Sequence, residues 1–199
     1  MKKSFVFICA VFAAAAAFAA PKYGVLVELD GRIGKNYFTG INSPGLKIAP
    51  QAKEDGKGEL YFLVGEKELT GQWQEFTVSF VPADQAVVFG LFSSSGHTVD
   101  YDDIKIVNGS AYNTSFERIN SDNEIDGWRY YTPGSVKANA ADAADGKVYV
   151  SCSRRYGIRQ AVYLKPGQKA VISFKARIGG RLSPPPHNSW ASKNVRKMR

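Results

Sequence analysis

A chain of 199 residues is long enough to bury one sizeable core, and a net charge of +8 would suggest a nucleic-acid partner if that charge lay in the folded part. It does not: Lys2, Lys3 and the tail cations Arg181, Lys193, Arg196, Lys197 and Arg199 account for the whole excess except +1, so residues 20–180 lack the clustered basic face that nucleic acid requires.

The first 20 residues, MKKSFVFICAVFAAAAAFAA, have the grammar of an export signal. Two lysines open it, an apolar run follows from Phe5 to about Ala16, and Ala17-Phe18-Ala19 puts small residues where a signal peptidase reads. Cleavage is expected after Ala19, because a cut after Ala20 would leave Pro21 first. The apolar run is short against the roughly 20 residues of a bilayer-spanning helix. The expectation is a secreted or periplasmic protein with a signal peptide over 1–19 and no membrane attachment after cleavage. Cys152 is then the one remaining cysteine, so no intrachain disulfide can form. In KVYVSC it alternates with Val148 and Val150, the pattern of a small buried apolar residue. His97 and His187 lie far apart in sequence, which removes support for zinc and for His-based nucleophilic catalysis.

The body is expected to be all β. Short runs rich in β-branched and aromatic residues occur at 62–64, 73–81, 86–92, 97–107, 147–152, 160–164 and 169–176. Between them stand turn signals: Pro82-Ala83-Asp84, Ser93–Gly96, Asn108-Gly109, Asp145-Gly146 and Pro166-Gly167. No sustained 3.6-residue period follows the signal, and many short antiparallel strands without helices imply a β-sandwich. In WQEFTVSFV, Trp73 does not share the alternation of Phe76, Val78 and Phe80, so a bulge or a two-sided environment is expected near Gln74. The end, GGRLSPPPHNSWASKNVRKMR, has three successive prolines and no alternation, and residues 180–199 are expected to form a disordered tail.

The stretch HTVDYDDIKIV (97–107) is strand-like yet carries three aspartates. Regular alternation would send Asp102 and Asp103 to opposite faces. A glycosidase pair needs two carboxyls converging about 5–10 Å apart, which disfavours these two. Solvated edge charge and metal ligation remain open. A second acidic cluster, NSDNEIDGW (120–128), begins like a calcium loop but has Pro133 where the closing glutamate belongs, so an Asx-rich turn is the plainer reading. No nucleophile-elbow, dinucleotide, P-loop or zinc-protease motif is present.

At NTSFERINSDNEIDGWRYYT (113–132) an N-x-x-F-E start is followed by Gly-Trp, and PG-x-x-x-x-x-S-F-x-A-R runs from Pro166 to Arg177. These resemble the first half of the jelly-roll carbohydrate-binding modules of the family 4/9/22 type, which are galactose-binding-domain-like sandwiches. Residues 70–107, with a Trp opening a strand and an Asp-Asp pair in a hydrophobic last strand, resemble their second half. The halves stand in reversed order: a second-half-like module over 20–109, then a first-half-like module over 110–179. They could be two partial modules, or one permuted sandwich over 44–178 in which strand 99–107 forms a hairpin with 113–118 through Asn108-Gly109.

The resemblance implies an exported, non-catalytic module that holds a polysaccharide or glycan and is associated with a secreted glycoside hydrolase. Any catalysis would then belong to a domain outside this chain. The alternative is a structural or adhesive surface sandwich without sugar binding. Sugar recognition in water rests on aromatic rings against the C–H face of a pyranose, with polar groups for its hydroxyls. The candidates are Trp128, Tyr130, Tyr131 and Tyr156, followed by Tyr61, Trp73 and Tyr112. The resemblance also implies a structural calcium near the last strand, and the expected hairpin would bring Asp103 and Glu117 together as its ligands.

Overall fold

The computed structural model describes residues 24–31, 37–52, 58–94, 96–122, 124–130, 138–139, 142–153 and 156–181. The expected signal peptide, Tyr131 and residues 182–199 lie outside them. The described residues form β1 (Val25–Gly31), β2 (Phe38–Asn42), β3 (Leu46–Ala52), β4 (Glu59–Gly65), β5 (Gln74–Pro82), β6 (Ala86–Ser93), β7 (His97–Val107), β8 (Gly109–Ser110), β9 (Arg129–Tyr130), β10 (Ala138–Asn139), β11 (Tyr149–Cys152), β12 (Ile158–Leu164) and β13 (Ala170–Arg181). All pairings are antiparallel. The first sheet runs β3-β4-β1-β6-β12-β8, with β9 also on β12; the second runs β10-β11-β7-β13-β5-β2. The fold is an all-β antiparallel sandwich.

Alternation builds the core. Val25, Val27 and Leu29 of β1 and Phe89 and Leu91 of β6 point inward from the first sheet. Val78 and Phe80 of β5, Tyr101 of β7, and Ile172 and Phe174 of β13 meet them from the second. Val148, Val150 and Cys152 all face this core, as their spacing implies, and burial pushes the Cys152 thiol up. Strands from 20–109 and from 110–179 interleave: β12 lies beside β6, and β13 lies between β7 and β5. The two stretches therefore share one core rather than forming two. Strand β1 sits between β4 and β6, so the sandwich begins well before residue 44.

The expected hairpin is absent. Strand β7 pairs with β11 and β13, and residues 113–118 form no strand. Asn108 does turn the chain, with φ +58, but the strand it starts is β8, which pairs with Tyr163 and Leu164 of β12. Residues 113–118 meet β7 through a backbone hydrogen bond from Ile104 N–H to the Thr114 carbonyl at 3.2 Å. Ala170–Ala176 of β13 does close on Phe80–Gln74 of β5. Strand β13 continues to Arg181, past the point where the sequence suggested that order ends.

Near Gln74 the environment is two-sided without a bulge: β5 keeps one register against β13 from Gln74 to Phe80, with Val78 and Phe80 inward. A bulge does lie in β7. Ser173 pairs with Lys105 and Lys175 with Asp102, so β7 carries one extra residue, and Asp103 lies next to Asp102 with φ +52. Aspartate tolerates this left-handed conformation better than most residues, because its short side chain bonds locally.

Candidate functional site

The bulge decides what the paired aspartates do. Both are buried, at 0% and 7% exposure, rather than split between core and solvent. Asp102 Oδ1 accepts the Asp103 N–H at 2.7 Å, and Oδ2 accepts the N–H groups of Ala144 and Asp145 at 2.7 and 3.0 Å. Burial pushes the Asp102 carboxyl up, and these three backbone donors oppose that rise. Asp103 Oδ2 takes the ammonium groups of Lys105 and Lys175 at 2.8 and 3.0 Å. The pair is buried and partnered rather than solvated charge.

Asp103 and Glu117, the expected calcium ligands, both have partners within the chain. Asp103 presents its carboxylate to two ammonium groups, which repel a divalent cation. Glu117 Oε1 accepts the N–H groups of Lys147 and Val148, each at 2.8 Å. A calcium site needs about six to eight oxygens. Among the described residues no group of three metal-ligating side chains forms. It is Asp102, not Asp103, that shares the 142–148 segment with Glu117.

The Asp103 ion pairs have a pH signature. Burial alone would raise its carboxyl, but the hydrogen bonds and charges of Lys105 and Lys175 outweigh burial and hold it below the usual carboxylate range. A carboxyl depressed by folding contributes stability that is present above its unfolded value, about 3.9, and is lost as pH falls through the folded value. Asp103→Asn is therefore expected to flatten the acid limb of stability below about pH 4, read as urea midpoints across pH. An unchanged limb would show that the lysines do not hold this carboxylate.

Across the outer side of the second sheet lies a polar and aromatic cluster. The register aligns Ser151 of β11, Asp100 of β7 and Arg177 of β13 in one row, and Trp73, just before β5, extends it. Their neighbours Val150, Tyr101 and Ala176 face the core, which sends this row outward. Asp100 Oδ1 accepts the Ser151 hydroxyl at 2.6 Å, and Oδ2 accepts Arg177 Nε at 3.1 Å. The Arg177 guanidinium carbon sits 4.4 Å from the Trp73 ring centre and 4.9 Å from that of Tyr149. Those two rings meet edge to face at 5.7 Å and 79°. Trp73 Nε1–H donates to the Asp142 carbonyl at 2.8 Å. The Arg177 terminal nitrogens make no hydrogen bond among the described residues. The result is a guanidinium held between two rings, with its terminal donors unused among the described residues.

The aromatic residues favoured by sequence lie elsewhere. Trp128 is 6% exposed; it packs on Phe116 at 5.3 Å and donates its indole N–H to the Asn113 carbonyl at 3.1 Å. It belongs to the core cluster. Tyr130 is half-buried, and its hydroxyl accepts the Ile125 N–H. Tyr156 is exposed. Tyr61 is half-buried and donates its hydroxyl to Glu59 at 2.8 Å. Tyr112 is exposed, with its hydroxyl donating to Asp126 at 2.9 Å and Arg118 against its ring. The acidic cluster is an Asx turn: Asn120 Oδ1 accepts the N–H groups of Asp122 and Glu124 at 3.0 and 2.9 Å. Tyr149, Arg177, Asp100 and Ser151 were not singled out by sequence reasoning. The signal available was a polar residue alternating with core residues in three strands, but which strands adjoin is a tertiary fact.

No family model matches this chain, and neither the curated proteins nor the solved structures hold a match to it.

Proposed function

We propose that this is an exported, non-catalytic carbohydrate-binding module whose ligand lies across the outer side of the second sheet. One observation carries the reading: Trp73 and Tyr149 bracket Arg177 on an outward sheet face. Rings offer apolar surface to a pyranose, and a guanidinium with unused donors suits the oxygens of neighbouring hydroxyls. Among the described residues the cations Lys105, Lys175 and Arg177 share this region with Glu75, Asp100, Asp103, Asp142 and Asp145. That balance suits an uncharged polysaccharide better than a polyuronate. Association with a secreted glycoside hydrolase, and secretion itself, belong to the same proposal and rest on the sequence resemblance and the signal-like start. The alternative, a structural or adhesive sandwich, is favoured by one feature: Arg177 already covers a face of each ring.

Retention on insoluble polysaccharides and on a glycan array separates the two. The protein is expected to be retained by at least one neutral glycan, and Trp73→Ala and Tyr149→Ala should each weaken that by about 0.5–1.5 kcal/mol, the scale of an aromatic contact. Retention by no glycan, with the fold intact by circular dichroism, would favour the alternative.

A further inference from the structure

Both rings of the candidate site depend on one stretch of chain. The Asp142 carbonyl holds the Trp73 indole, and Tyr149 follows seven residues later. Between them, residues 142–148 belong to no strand, so no ladder of backbone bonds sets their path. Two carboxylates do instead. Asp102, from the β7 bulge, takes the N–H groups of Ala144 and Asp145. Glu117, from the irregular segment after β8, takes those of Lys147 and Val148. Carboxylates bond backbone N–H groups more strongly than neutral acceptors do. The segment is shaped for this grip: Asp142 and Gly146 have φ +57 and +61, and a Cβ at Gly146 would stand 2.5 Å from Glu117 Oε1.

We infer that Asp102 and Glu117 are positioning residues that together form a latch setting the Trp73–Tyr149 aperture. The inference rests on the glycan-site reading for its purpose, but the latch acts in the ligand-free protein. It gives the two acidic residues a shared role that neither calcium ligation nor surface charge supplies.

The test is hydrogen exchange of the tryptophan indole N–H groups in the full chain without ligand, with the Trp73 signal assigned by its loss in Trp73→Phe. Glu117→Gln removes the charge from an exposed carboxylate. Gly146→Ala keeps both carboxylates but drives Glu117 away and strains a positive φ. Each is expected to speed exchange of the Trp73 indole by about tenfold relative to that of Trp128, the equivalent of one hydrogen bond. General loss of stability would speed both indoles alike. Equal acceleration of the two, or none, overturns the latch whatever the glycan assays show. Selective acceleration of Trp73 supports it even if no glycan binds.

Discussion

Phe174→Ala is expected to destabilise the protein by about 3–5 kcal/mol, enough to consume much of the roughly 5–15 kcal/mol available to a domain. Phe174 is fully buried in β13, the strand that joins β7 to β5. Its ring stacks on Phe76 at 5.7 Å and 16° and lies 5.9 Å from Tyr101, both in its own sheet. It also reaches across the sandwich to Phe89 of β6 at 6.1 Å. Truncation removes one ring from four and leaves a cavity that three rigid neighbours cannot collapse into. Urea denaturation gives the measure, and Tyr163→Ala is the control: at 62% exposure that ring should cost no more than about 0.5 kcal/mol. A Phe174→Ala loss as small as the control's would mean that the two sheets are not packed through this ring.

Tyr101→Phe is expected to cost about 1–3 kcal/mol although it deletes one oxygen atom. Tyr101 is fully buried in the second sheet, yet its hydroxyl accepts the Leu26 N–H at 3.2 Å and donates to the Phe92 carbonyl, both in the first. Leu26 and Phe92 are register partners in β1 and β6, so the hydroxyl is wedged into the ladder between them. Removing it leaves a buried donor and a buried acceptor facing each other. If they stay apart, each bears a desolvation penalty. A cost near zero would mean that β1 and β6 close directly, and that the hydroxyl is dispensable to joining the sheets.

The β-class of the protein was legible because its cause is local. Runs such as AVVFGLF and KAVISFKA alternate inward and outward with period two, and their turn residues end them without reference to distant chain. Strand β1 shows the limit of that reading. VLVELDG is buried along its whole length, with Leu26 and Phe92 in a second cluster on the outer side of the first sheet, so it lacks the alternation that marks a half-buried strand. The Asp-Asp pair was legible as an anomaly, but its meaning was not. A single extra residue in β7 reversed the side-chain assignment that regular alternation predicts, and nothing in HTVDYDDIKIV by itself says that the ladder slips there.

The sequence by itself determined that this chain is a β-sandwich with Cys152 in its core. Composition and period-two patterning depend on near neighbours only. The tertiary structure alone decided which strands adjoin. Loop closure over long separations is governed by the total burial achieved, not by the residues at the turn. Thus Asn108-Gly109 turned the chain as its type requires, yet delivered it to β12, some 54 residues later in sequence, instead of to 113–118. The same long-range choice placed Trp73, Asp100, Tyr149 and Arg177 side by side from four separate segments, while it drew Trp128 into the core.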